Sequence, residues 1–287
     1  LIHAYNLHNL TYFMTVRLLL STCRRLAFSG LLVCSSIAVA APTGTDDNDP
    51  KVASSENSSN SSSSTVVKGI DVSRWQKEVN WTMVSESQVS FAFIKATEGD
   101  YRLDPFFARN WEETKRHGIK RGAYHFYKPE IPVAEQVKLF TSTVTLESGD
   151  LPPVLDLEVT DRTVSPEQLR KDVRAWLEAV TAHYGVRPII YTGQNYYRRY
   201  LKGHFPEYHF WIARYSDVKP EIHHTDSWMF WQFTDRGSVA GINSAVDINF
   251  FAGSFEQLTQ LCLPELTAQH FDYSSPLTQL KHHQPLP

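Results

Sequence analysis

The segment Val154-Leu155-Asp156-Leu157-Glu158-Val159 sets two carboxylates two residues apart among apolar neighbours. In an extended strand such residues project to the same side. Asp156 and Glu158 are therefore expected on one face, with Leu155 and Leu157 on the other. Two carboxyl groups crowded into a partly buried site cannot both ionise readily, so one should keep its proton to higher pH. A proton donor beside an anion suits glycoside hydrolysis, where an acid protonates the leaving oxygen and a negative group supports the developing oxocarbenium charge. Asp71, in Gly69-Ile70-Asp71-Val72-Ser73, and Asp247, in Val246-Asp247-Ile248-Asn249, supply two more acids in strand-like surroundings. Any one acid alone could cap a turn or pair with Lys95 or Arg214, because structural ion pairs also occupy carboxylates. Four acids at corresponding strand ends favour a site.

Such a set must be held by strands that finish on a common face. Short apolar or alternating runs predict strands over 68–73, 91–97, 121–127, 153–159, 188–192, 210–215, 229–234 and 246–251, a barrel-like count. Helical periodicity predicts helices over 105–117, 133–146 and 166–184, the last opened by Ser165-Pro166 and followed by Gly185. The stretch between Tyr215 and Met229 reads as a loop. The expected fold is α/β: an irregular (β/α) barrel, TIM-barrel-like, with eight strands and fewer than eight helices. In a parallel barrel the carboxyl ends of the strands share the face that carries the site. Lys95, Glu98, His125, Tyr127, Tyr191, Trp211, Arg214 and Gln232 join the acids at those ends. For the aromatic ones and for Tyr124, packing in the core and stacking on a sugar face are equal alternatives.

The chain has 287 residues, 42% hydrophobic and 21% charged, with 28 basic against 31 acidic side chains. That composition supports a sizeable core and excludes global disorder, a collagen-like fibre and a disulfide mini-protein. With no basic stripe, no nucleic-acid partner is expected. There is no H-E-x-x-H spacing, Gly-rich phosphate loop or G-x-S-x-G elbow, so neither a metal nor a cofactor is expected.

Residues 1–41 read as a leader with a signal peptide starting at Met14: Arg17, Arg24 and Arg25, an apolar run from Leu26 to Ala40, and Ala38-Val39-Ala40 before Ala41. An exported, envelope-associated or secreted protein follows, touching the membrane only through an anchoring leader or a lipidated Cys34. Residues 42–65 read as a Ser-rich flexible linker, 66–253 as the barrel domain and 254–287 as a loosely packed tail. Cys262 is left alone in the mature chain, an inert packed thiol by expectation.

The motifs taken together resemble glycoside hydrolase family 25, the muramidases or N,O-diacetylmuramidase-type lysozymes. The resemblance is carried by residues 69–73 with Trp75-Gln76, by 93–99, 121–126, 156–158 and 190–192, and by Trp231-Gln232 and 246–249. It implies cleavage of the β-1,4 bond between N-acetylmuramic acid and N-acetylglucosamine, with peptidoglycan as partner and a monomeric enzyme. By matching motifs it implies Glu158 as general acid, Asp71, Asp156 and Asp247 as supporting acids, and Glu98, Tyr127, Tyr191, Trp211 and Gln232 as contacts in the saccharide groove. Arg102 stands where the family commonly has an aromatic, which bears on groove shape. Asp156 would either attack directly or orient the substrate's acetamido oxygen, with substrate assistance favoured. A non-catalytic peptidoglycan-binding lipoprotein using the same groove is the alternative.

Overall fold

The structure, a computed structural model, describes residues 66–264. The leader and linker expected over 1–65, Cys34 among them, and the tail beyond 264 lie outside the described residues.

Eight strands close a barrel: β1 (Val67–Val72), β2 (Phe91–Glu98), β4 (Lys120–Phe126), β5 (Val154–Leu157), β6 (Ile189–Gly193), β7 (His209–Ala213), β8 (Ser227–Gly237) and β9 (Val246–Phe251). The hydrogen-bonded order is β1-β9-β8-β7-β6-β5-β4-β2, and a β1–β2 pairing completes the ring. A two-residue β3 (Arg102–Leu103) folds back on β2. Among the described residues six α-helices accompany the strands, besides a 3-10 turn over Arg74–Gln76: α1 (Trp81–Ser85), α2 (Phe107–Arg116), α3 (Val133–Thr143), α4 (Pro166–Tyr184), α5 (Gln194–Tyr196), which runs into a π-helical turn over Tyr197–Leu201, and α6 (Phe255–Leu261). This is the irregular barrel expected. One strand departs from the parallel arrangement, since β9 is antiparallel to both β8 and β1. No helix separates Gly237 from Val246, and a short connection returns the chain alongside itself, whereas a parallel partner needs a crossover.

Inside the barrel, Phe93 stacks on Trp211 at 4.4 Å, and Phe230 meets Phe93 and Phe91 edge-on at 5.0 and 5.2 Å. Two inward glycines make room for these rings. A Cβ at Gly69 would lie 2.3 Å from the Phe91 ring, and one at Gly122 2.7 Å from Phe93. The outer faces of β1, β2 and β5 bury Ile70, Ile94 and Leu155 in one cluster with Phe140 of α3 and Trp176 of α4. α4 starts on the expected cap, the Ser165 hydroxyl accepting from the Gln168 N–H at 3.1 Å with Pro166 in the first turn, and stops at left-handed Gly185. On β8 and β9, the outer surface is covered by rings, Phe233 lying flat on Phe250 at 4.5 Å with Trp231 beside them.

Packing does not end at Gly253, which corrects the expectation of a loose tail from residue 254. α6 carries a capping box at Ser254 and buries Leu258 completely against the interior cluster of Val67, Val154, Ile189 and Phe251. Those residues lie at the end of the barrel opposite the strand-end acids, so α6 closes its floor. Asp150 and Gly149 fasten the following turn through backbone bonds with Leu263 of 2.8 and 2.9 Å. Cys262 is buried there, its thiol pushed up to about 11 by burial. Leu258→Ala is expected to destabilise the domain by about 2–5 kcal/mol through lost apolar burial and the cavity left behind. Denaturant unfolding monitored by tryptophan fluorescence would check this, and a loss under about 0.5 kcal/mol would show that α6 is dispensable.

Candidate active site

The four acids meet at one mouth of the barrel. Asp71, near the end of β1, and Asp247, near the start of antiparallel β9, are direct cross-strand partners. Sequence alternation placed Asp247 at a carboxyl strand end; instead it stands at an amino end, and the reversed direction of β9 brings it to the same face. Asp156 lies on β5, between Phe126 of β4 and Tyr191 of β6, with Glu158 just beyond the strand.

Asp71 is the best-held anion of the set. Its Oδ2 accepts from Gln232 Nε2 and from Asn249 Nδ2, both at 2.8 Å. Burial pushes its carboxyl up to about 6, against those donors and Asp247, which pull it down. Asp247 is pushed further, to about 9, by burial and then by the Asp71 charge, and so holds the proton it gives to Asp71. Asp156 is buried and its Oδ1 has no hydrogen-bond partner. Burial first and Glu158 second raise its carboxyl far above the ordinary range, while Lys95 opposes them. Glu158 is exposed to solvent in the groove, yet the walls surrounding it raise its carboxyl too. Lys95 and the Tyr191 hydroxyl work against that rise. The single Tyr191 proton goes to Gln232 Oε1 at 2.8 Å, and turning the hydroxyl would offer it to Glu158 instead.

The raised acids make stability depend on pH. Asp247 moves from 3.8 to about 9 on folding, so between those values the folded domain binds more protons than the unfolded chain, and stability falls as pH rises. Asp247→Asn keeps an N–H donor for Asp71 and cannot ionise. Its melting temperature is therefore expected to gain on wild type steadily from about pH 5 to about pH 9, and a pH-independent difference would contradict the shared-proton arrangement.

Of the remaining expected residues, Gln232 and Tyr191 belong to the network around Asp71. Tyr215 joins them, its hydroxyl donating to Gln232 Oε1 at 3.0 Å. Glu98 stands at the rim among three cations: Lys95 at 2.8 Å, Arg102 at 3.3 Å and Lys128 at 4.0 Å hold its carboxyl below its ordinary value despite burial. Trp211 and Tyr127 are corrections to the expected groove. Trp211 is 2% exposed, stacked in the barrel interior, and its indole N–H donates to Asn249 Oδ1 at 2.7 Å. It thereby orients the amide that holds Asp71. Tyr127 is 1% exposed and packs in the outer cluster with Phe140 and Trp176. His125 also points outward, between Thr97 and Gln136 at 2.7 and 3.0 Å, lowered to about 4 by burial. The inward phase of β4 is Gly122 and Tyr124, and the Tyr124 phenol feels the charges of Asp71, Asp156 and Glu158. Asn249 was not among the expected site residues, and Tyr124 was one of the strand-end aromatics for which core packing and sugar contact were equal alternatives. Asn249 was legible two positions after Asp247, whereas nothing in the alternation of β4 favoured Tyr124 over His125.

A mouth of this kind, with carboxyl groups of unequal proton affinity beside tyrosines and amides, can donate a proton and stabilise a cation within one groove. The model of glycosyl hydrolases family 25 matches residues 70–242. Among relatives, the uncharacterized protein YegX of Escherichia coli is 44% identical over 200 residues, covering 68% of this chain and 73% of that protein. Lysozyme M1 of Streptomyces globisporus is 35% identical over 208 residues, covering 68% of this chain and 71% of that protein. A solved bacterial lysozyme from Streptomyces coelicolor superposes with a TM-score of 0.66 at 32% identity, over 69% of this chain and 97% of that one. The chain belongs to glycosyl hydrolases family 25.

Proposed function

We propose that the protein is a lysozyme of the muramidase type, cutting the β-1,4 bond between N-acetylmuramic acid and N-acetylglucosamine of peptidoglycan in the cell envelope or outside the cell. The observation that carries this reading is the convergence of Asp71, Asp156, Glu158 and Asp247 at one barrel mouth, with the carboxyl of each raised by burial. Names among the relatives, including lysozyme M1 and an autolytic lysozyme of Clostridium acetobutylicum, support the same substrate.

Glu158 is the general acid. It is the acid most open to the groove, and burial raises its proton affinity, so it keeps its proton to higher pH than a free glutamate. As the bond from the anomeric carbon to the leaving oxygen breaks, that proton passes to the oxygen. The substrate's acetamido oxygen closes on the anomeric carbon, and its N–H turns to the unpartnered Oδ1 of Asp156. Glu158, now a carboxylate, takes a proton from water, which opens the ring and restores the original anomeric configuration. Asp71, fixed by Gln232, Asn249 and Asp247, supplies the negative field for the oxocarbenium charge.

Digestion of defined peptidoglycan followed by mass spectrometry and anomer analysis tests this. Muropeptides ending in reducing N-acetylmuramic acid with retained configuration are expected. Reducing N-acetylglucosamine ends, or an inverted anomer, would overturn the bond or the mechanism respectively.

A further inference from the structure

A cavity of about 450 Å³ opens beside Glu158 between the ends of β6 and β7, lined by Glu158, Tyr191, Gln194, Arg198, Arg214 and Tyr215. Its two arginines are built into place. Arg198 sits in the π-helical turn after α5, a local departure of the kind often found at functional sites. Arg214 directly follows β7. Both guanidinium groups bond one carboxylate, Glu221, through Arg198 Nη2 at 2.6 Å and Arg214 Nη1 at 2.9 Å. Glu221 is pinned in turn, because the side-chain amide of Gln194 donates to its carbonyl at 2.7 Å and accepts from its N–H at 2.8 Å. Arg214 Nη1 also holds the carbonyl of Lys219 at 2.9 Å.

On this wall two guanidinium groups share one carboxylate, Glu221, and the other acid lining the cavity, Glu158, carries no charge in the protonated form that acts as general acid. Among the described residues, Arg198 commits only Nη2 to hydrogen bonds and Arg214 only Nη1. Each guanidinium has five donors, so a second oxyanion can be received without moving either side chain. Neutral N-acetyl sugars offer no such group. In peptidoglycan the muramic acid carries a peptide stem with free carboxylates, and this cavity adjoins the acid placed at the scissile bond.

We infer that Arg198 and Arg214 form a carboxylate-binding subsite for the peptide stem, which makes the enzyme prefer stem-charged peptidoglycan over neutral glycan. The inference rests on the lysozyme reading. It assigns the pair to substrate selection, with no part in the chemical step.

The test compares two forms of one peptidoglycan preparation, native and with its stem carboxylates converted to amides by carbodiimide coupling to ammonia. The readout is the ratio of kcat/KM on the two forms, which does not depend on the folded fraction of an enzyme sample. Wild type is expected to favour the native form about tenfold, in line with a charge-assisted pair at a partly exposed site. In Arg198→Gln/Arg214→Gln the ratio should fall towards one, and Arg198→Lys/Arg214→Lys should restore part of it. A wild-type ratio near one, or a double variant that keeps the wild-type ratio, would overturn the subsite while leaving the lysozyme intact. Failure of wild type to cleave either form would overturn the lysozyme reading, and the subsite with it.

Discussion

Glu158→Gln is expected to lower kcat on peptidoglycan by about 10²–10⁴-fold, the usual contribution of a positioned general acid. KM should stay within about threefold of wild type, because the amide keeps the size of the side chain and removes only the transferable proton. Folding should not suffer. Glu158 stands beyond the end of β5, exposed in the groove, and takes part in no ion pair among the described residues. Removing its charge also relieves repulsion on Asp156 and Asp71, both of which it raises. The wild-type rate should fall on the alkaline side as Glu158 deprotonates, at a pH above its ordinary value, and the residual activity of the variant should lack that limb. Reducing-end release across pH measures both. Turnover within tenfold of wild type would remove Glu158 from the role of acid and point to another of the four carboxyls.

Asp156→Asn should separate activity from stability. Its carboxyl is 5% exposed, has one oxygen without a partner, and is disfavoured as an anion by burial and by Glu158. A carboxyl raised on folding adds stability at low pH and loses it as pH climbs from its unfolded value towards its folded one. Asparagine cannot ionise, so the melting temperature of the variant should exceed that of wild type at alkaline pH and approach it in acid. Catalysis should move the other way. An acetamido N–H arriving at Oδ1 favours the ionised carboxyl that burial disfavours in the free enzyme; an amide cannot ionise, so kcat is expected to fall about 10²–10³-fold, comparable with removing one preorganised electrostatic partner. Calorimetry and rate measurements on the same preparation make the comparison. A variant both inactive and less stable at alkaline pH would mean that Asp156 is structural; wild-type activity would exclude it from the reaction. Opposite signs are the pattern of a site that keeps function at a cost in stability.

Much of the frame was legible from side-chain pattern alone. The strand expected over 246–251 coincides with β9, and the helix over 166–184 coincides with α4, whose cap, proline and terminal glycine are local signals that need no tertiary context. Short elements were not legible. α1 spans five residues and α5 three before its π turn, too few for a periodicity to register. α6 was missed although Phe255, Leu258 and Leu261 recur at helical spacing behind a Ser254-Gln257 capping box, because seven residues are too few for that periodicity to stand out from the polar tail that follows.

Asp156 and Glu158 were placed on one face by a rule as local as the two-residue repeat of a strand, and their neighbours Leu155 and Leu157 do face the outer core. That rule fixes which residues go together, not which set points inward. On β4 both sets are largely buried, one inside the barrel and one beneath α3 and α4, so alternation could not choose between Tyr124 and the pair His125 and Tyr127. Trp211 likewise has the right parity for the groove and lies too deep to reach it, a matter of height within the barrel. The sequence by itself thus determined the barrel, its family and the identity of the four acids, because these rest on residue type and short-range spacing. Only the tertiary structure decided that β9 runs backwards to set Asp247 against Asp71, that Trp211 and Asn249 support that pair from below, and that Arg198 and Arg214 share one carboxylate beside Glu158. These depend on strand direction, depth and contacts between residues far apart in the chain, and no local pattern carries that information.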